Sequence, residues 1–388
     1  MPSLYSTLYT AYTLLTLPVR LLSWWLYYIP KSNRPNPAWS WKTAVTLQII
    51  ILVIRYRTVT RYRTPKSLEP GPDGDRFIVV NPQFTISNLN PNANLEIKSD
   101  SESESESPVY KGTLTSVPAV EPLPVGAAWF PSTPRQPPKR LIIHFHASAY
   151  VLFGPRPSDG TGWGPTSFSE ISEWPLLSVQ YRLSLDADKT FPAAVQDGLT
   201  VYIYALEVLK IPASQIVFSG ESAGGNLILA LLRYITEENA VIPLPRCALL
   251  WSPWVDMTHR SLERMVAHRN YRSDYIEYGL GVWGASAYIP PGWEDDHPFL
   301  SPLVSERNLR LSVPLFIEVG TSEVLYDDIL EFAGQMKKNG TEVEVREAIN
   351  GVHATFGVAC NLGMLEVAVE GHVCAAKFIA RIEEKLKE

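Results

Sequence analysis

The nine residues FSGESAGGN at 218–226 constrain this chain more than any other stretch. The apolar run QIVF before them reads as a short buried strand, and LILALLRYI after them reads as the body of a helix. Ser222, between Gly220 and Gly224, therefore sits on a sharp strand-to-helix turn. This is the G-x-S-x-G pattern of a nucleophile elbow, where the turn lifts the hydroxyl into the open.

A serine hydroxyl is a poor nucleophile unless a base takes its proton and a third group holds that base. In an open α/β sheet such groups gather on loops at the carboxyl ends of strands. From about residue 109 the chain alternates short apolar runs with amphipathic ones. Strands are expected at 139–146, 175–181, 215–220, 246–251, 314–319 and 341–348. Helices are expected at 193–209, after Ser222, at 327–338 and at about 362–387. This alternation means a mostly parallel central sheet with helices on both faces.

On that pattern the acid should follow the strand at 314–319 and the histidine the strand at 341–348. Glu323 in VGTSEVLYDD and His353 in NGVHATFG meet both conditions, in the chain order serine, acid, histidine. Asp327 and Asp328 are rival acids one helical turn further on. His259, His268 and His372 are expected on lid or helix surfaces. None of the seven histidines is spaced with another histidine and a carboxylate as metal ligands would be, so no metal is expected.

Net charge is −6, which argues against nucleic-acid binding. The three cysteines form no C-x-x-C pair, so neither a disulfide framework nor a zinc site is expected. The simple reading is a reducing, intracellular compartment, either the cytoplasm or the cytoplasmic face of a membrane. The stretch at 99–108, SDSESESESP, reads as a solvated acidic loop.

Residues 1–70 form a separate apolar segment, ahead of a catalytic domain over 71–388. The run at 4–30 is apolar and aromatic but interrupted by Pro18 and Arg20. The run at 44–54 has only 11 residues, against about 20 for a bilayer-spanning helix. Five cations follow at 55–66. Three roles stay open for this segment: helices over a site mouth, membrane-surface contact through residues 1–66, or a true span. The aromatic stretch 254–300 breaks the strand–helix rhythm and is expected to form part of a lid.

Several motifs together resemble one family. They are HFHASAY (144–150), VQYRL (179–183), FPAAVQD (191–197), GESAGGN (220–226), WSPWVD (251–256), SPL (301–303), GTSEVLYDD (320–328) and the H-x-x-F of 353–356. The chain resembles the hormone-sensitive-lipase branch of the α/β-hydrolases, the arylacetamide-deacetylase-like group, over about 139–360. Within it, the likeness is greatest to filamentous-fungal members, some of which act in natural-product pathways. The resemblance implies an α/β-hydrolase fold and hydrolysis of a carboxylic ester through an acyl-serine, without a cofactor. Ser222 would attack, His353 would act as base and then acid, and Glu323 would orient His353. The N–H groups of Ala147, Ser148 and Ala223 would form the oxyanion hole. Tyr150 and Trp254 would contact a bulky apolar small molecule.

Three departures stand out. Glu323 replaces the family's usual aspartate, and Glu221 replaces the aspartate before the serine. The family's His-Gly-Gly-Gly is His146-Ala147-Ser148-Ala149 here. Side chains at Ala147 and Ser148 are expected to re-aim the loop's donors or to narrow the pocket, because glycine permits positive φ and close approach. Ser148 could also add its hydroxyl as a donor. A non-hydrolytic use of the same serine and histidine, and a non-catalytic binding protein, are the rival readings.

Overall fold

The computed structural model describes residues 4–64, 67–86, 107–159, 162–305 and 309–385. Ten strands are present among them: β1 (Phe77–Val80), β2 (Thr85–Ile86), β3 (Ser107–Pro108), β4 (Val125–Phe130), β5 (Leu141–Phe145), β6 (Leu176–Gln180), β7 (Ile216–Glu221), β8 (Cys247–Trp251), β9 (Leu315–Gly320) and β10 (Val343–Ala348). Eight of them form one sheet in the order β1-β4-β6-β5-β7-β8-β9-β10. From β6 to β10 all neighbours are parallel, while β4 pairs antiparallel with both β1 and β6. Residues 99–106 of the acidic stretch lie outside the described residues, and Ser107–Pro108 pair with β2.

The helices are α1 (Leu4–Tyr27), α2 (Trp41–Val59), α3 (Trp163–Ser172), α4 (Ala193–Glu207), α5 (Ala223–Glu237), α6 (His259–Ala267), α7 (Tyr278–Tyr288), α8 (Tyr326–Lys338), α9 (Thr355–Leu362) and α10 (Leu365–Lys385). The central strands β5 to β9 are buried along their whole length, because helices cover both faces. The C-terminal helix expected at about 362–387 is α10, and a further short helix, α9, precedes it. Gly363, at φ 69, ends α9 and its N–H caps the Ala359 carbonyl. His372, on α10, is not a surface residue. It is fully buried against Phe168, Trp251 and Phe356, and burial pushes its pKa down to about 3.

Strand register places the site. Glu221 lies opposite Trp251, Trp251 opposite Glu318, and Gly320 opposite Ala348. The carboxyl ends of β7 to β10 therefore lie side by side. Ser222 comes directly after β7, Glu323 three residues after β9 and His353 five after β10, so one edge of the sheet presents all three.

Candidate active site

Ser222 occupies the turn between β7 and α5 with φ 52, a conformation that a non-glycine residue adopts only under strain. Its N–H donates to the Trp251 carbonyl at 2.9 Å, and its own carbonyl accepts from Asn226 and Trp254, each at 3.0 Å. These three bonds hold the strained turn. The neighbouring glycines serve close approach rather than positive φ. A Cβ on Gly220 would lie 2.5 Å from the Gly224 carbonyl oxygen, and one on Gly224 would lie 2.1 Å from the Phe145 carbonyl oxygen. Strand and helix can meet at this angle only without those side chains.

Ser222 and His353 line one cavity of about 530 Å³. Its walls are mainly apolar: Ile54 from α2, Met265 from α6, Leu280 from α7, and Ile276, Leu325 and Trp254 from the loops. The insertion 254–300 and the second N-terminal helix thus both border the serine. α1 instead packs on α2, outside the cavity. Trp254 is in the wall with its indole N–H bound to the Asp256 carbonyl. Tyr150 does not reach the cavity. It is fully buried, its ring stacks on Tyr288 at 3.5 Å, and its hydroxyl donates to Asn226. Asn226 in turn donates to the carbonyls of Trp254 and Leu300, so Tyr150 supports the wall from behind.

Glu323 and His353 are almost wholly buried and face each other, with Oε1 and Nδ1 4.0 Å apart. Neither atom has another partner among the described residues. Leaving two buried polar atoms unpaired is costly, so a shift of about an ångström that closes the gap is favoured. Catalytic hydrogen bonds are often long before substrate binds. The other carboxylate oxygen, Oε2, accepts from Ser252 Oγ at 2.5 Å and from the Gly320 N–H at 3.1 Å. Ser252 Oγ also accepts from the Ala354 N–H at 2.9 Å, tying the acid to the histidine loop. Burial raises the Glu323 pKa, with the nearby Asp274 as a second cause. Burial alone pushes His353 down to about 3, so its imidazole is neutral.

The rival acids are engaged elsewhere. Asp327 pairs with Arg269 and His268 on the surface, and Asp328 accepts from Ser261 on α6. Sequence reading missed two residues here. Ser252 stands in the WSPWVD motif directly after β8, where a polar residue at a strand's carboxyl end is a site signal. Asp274 lies in the lid insertion with no motif to mark it. It is fully buried and accepts backbone N–H groups from Tyr275 at 2.7 Å and Val324 at 2.8 Å, and burial pushes its pKa up to about 7.

The oxyanion loop differs from expectation. Ala147 and Ser148 both line the cavity, yet neither has positive φ; Ala149 (φ 46) and Tyr150 (φ 61) do. Side chains at 147 and 148 therefore do not force this backbone away from a glycine-only shape. The Ser148 hydroxyl is not a spare donor either. Tyr181 donates its single proton to the His146 carbonyl at 2.6 Å. At the 2.6 Å contact between the two hydroxyls, Ser148 must then be the donor. Its oxygen also accepts the Tyr150 N–H at 2.8 Å. This chain of bonds braces the loop. The third group, the Ala223 N–H, stands in the first turn of α5, where helical N–H groups have no intrahelical partner.

The strain at residue 149 is testable. A left-handed alanine costs about 1–2 kcal/mol, so Ala149→Gly should raise the unfolding free energy by about 1 kcal/mol after the entropy of the added glycine. Denaturant melts measure it. An unchanged or lower stability would mean that packing of the Ala149 Cβ, which lies over Gly284 of α7, outweighs the strain.

The profile of a family described as the alpha/beta hydrolase fold matches residues 142–357, and the chain belongs to that family. An acetyl-hydrolase of Streptomyces hygroscopicus is 28% identical over 208 residues, covering 54% of this chain and 65% of that protein. An esterase of Acinetobacter venetianus is 26% identical over 207 residues, covering 53% of this chain and 64% of that protein. The chain therefore spans just under two thirds of the length of these relatives. Among solved structures, an EstE5 crystal soaked in ethyl alcohol superposes with a TM-score of 0.56 at 27% identity, covering 66% of this chain and 81% of that one. The chain is thus similar, over this shared region, to proteins named acetyl-hydrolase and esterase.

Proposed function

We propose that the protein is a serine hydrolase that cleaves an ester, lactone or related acyl bond of a bulky apolar molecule through an acyl-serine. One observation carries this reading: Ser222, held at a strained elbow, shares an apolar cavity with a neutral buried histidine backed by a buried carboxylate. Ser222 Oγ attacks the acyl carbon while His353 Nε2 takes its proton. Glu323 then balances the imidazolium that forms. The N–H groups of Ala147, Ser148 and Ala223 receive the negative charge on the acyl oxygen. His353 returns its proton to the leaving oxygen, and water reverses the sequence to free the acid. The apolar walls favour a large apolar acyl or alcohol part. A place in natural-product metabolism is part of this proposal. The negative φ of Ala147 and Ser148 removes the main reason for preferring a non-hydrolytic use of the site.

The test is labelling with a fluorophosphonate, followed by mass spectrometry of wild type and Ser222→Ala incubated with nitrophenyl esters of increasing chain length. The expected result is one adduct, on Ser222, and turnover that rises with acyl length. A chain that is folded but unlabelled would mark it as a binding protein. Labelling without turnover of any ester would restore the non-hydrolytic reading.

A further inference from the structure

Helix α1 turns an apolar face outward. The outward face of a surface helix is ordinarily polar. Here the stripe Leu4, Leu8, Tyr12, Leu15, Val19, Leu22 runs at spacings of three and four along one face, and every member is more than half exposed, Leu15 by 80%. The residues turned inward mix hydroxyls (Ser6, Thr10, Thr13, Thr16) with Leu17, Leu21 and Trp24. Thr13 is the one buried residue of α1, and Thr10 Oγ1 lies 3.1 Å from the Tyr56 hydroxyl of α2. The stripe runs from Leu4 to Leu22 of this 24-residue helix, so it extends over about 27 Å at 1.5 Å per residue.

The charge around it is one-sided. The chain carries a net −6, yet no Asp or Glu occurs before Glu69, while residues 1–66 hold nine Lys and Arg. Arg55 and Arg63 are paired with Glu277 and Asp186. Arg20 binds the Tyr12 hydroxyl, and Arg34 binds the backbone carbonyls of Tyr28, Ile29 and Trp39. Lys31 and Lys42 stand at the α1–α2 turn and the start of α2, both exposed. The far end of the stripe also presents Trp25 and Tyr27, half exposed, residue types suited to a membrane–water boundary. Among the described residues, no helix is long and apolar enough to cross a membrane.

We infer that α1, with the α1–α2 turn, lies on an anionic lipid surface, its leucine stripe in the acyl boundary and Arg20, Lys31, Arg34 and Lys42 at the headgroups. An exposed apolar stripe and a cationic rim without acids are what such a surface recognises. A second copy of this chain would bring a second cationic rim against the first. The apolar surface also continues inward. Ile49 and Val53 of α2, partly exposed, line a groove of about 1000 Å³ that shares Ile54, Ala147, Phe153 and Tyr275 with the serine cavity. An apolar substrate dissolved in lipid would reach Ser222 by this groove. That route rests on the hydrolytic reading above, whereas the docking does not.

The experiment is flotation of the full chain with vesicles of phosphatidylcholine alone or mixed with phosphatidylglycerol, with folding followed by circular dichroism rather than by activity. The native chain should float with the mixed vesicles, more weakly with phosphatidylcholine, and less at high salt. Leu8→Glu, Leu15→Glu and Leu22→Glu combined should abolish flotation. Lys31→Gln and Lys42→Gln should each weaken binding to the mixed vesicles about five-fold and keep the test decisive if the triple variant misfolds. A native chain that binds neither vesicle overturns the inference, as does binding indifferent to phosphatidylglycerol. A dimer in sedimentation that the triple variant loses, without vesicle binding, would assign the stripe to a second copy instead.

Discussion

Ser222→Ala and His353→Ala should each lower kcat by about 10⁶, and the double variant should be no worse than either alone. The geometry explains both the size and the lack of additivity. Without Ser222 no atom at the elbow can bond to the acyl carbon, so a base beside it has nothing to activate. Without His353 the hydroxyl keeps its proton, because every other side chain lining the cavity is apolar or a hydroxyl. Residual turnover would come from the oxyanion donors and from binding, which neither change touches. Single-turnover assays on a short nitrophenyl ester, with the three variants side by side, read the effect. Losses that multiply in the double variant would mean that the two residues act in separate steps, and the triad assignment would fall.

The parts of this site legible in the sequence are those whose chemistry and strand position coincide. An apolar strand, a small-residue turn and an apolar helix fix Ser222 through local pattern alone. Glu323 and His353 follow because the parallel order of β7 to β10 turns chain order into spatial order. The misses have physical causes too. β4 reads VGAAWF, with too few β-branched residues to signal a strand. Its small residues make room for β1, since a Cβ on Gly126 would lie 2.4 Å from the Phe77 ring. α3 reads WGPTSFSEIS, a poor helix by propensity, and it is held by the packing of Phe168 on Trp251 and Phe356. The oxyanion loop was misjudged because a glycine motif does not say which of its positions needs positive φ. Here Ala149 and Tyr150 take it, and the Ser148–Tyr181–His146 bonds supply rigidity that only the folded chain reveals. Asp274 escaped notice because a buried acid in a lid has no local pattern.

Glu323→Gln should lower kcat by about 10⁴ and leave KM nearly unchanged, while Asp327→Asn and Asp328→Asn should fall within a few-fold of wild type. Glutamine fills the same space and can still accept from Ser252 and Gly320, so the fold should survive. What it lacks is the charge that balances the imidazolium of His353 as the proton moves. The two aspartates lie on α8 with partners of their own, and their loss alters only surface ion pairs. The pH profile separates charge from shape. Burial disfavours the imidazolium of His353 and so moves its protonation to lower pH. Glu323, raised by burial, must lose its proton for the pair to work, so its ionisation shapes the acid limb of kcat/KM. Asp274 is the second cause of the raised value, and its negative charge disfavours a second one nearby. Asp274→Asn removes that charge, lets Glu323 ionise at lower pH, and should move the limb toward acid. The substituted amide cannot accept all the N–H groups that Asp274 holds, so stability must be followed in parallel. A crippling Asp327→Asn or Asp328→Asn, or a limb that moves toward alkali in a folded Asp274→Asn protein, would show that another carboxylate serves His353.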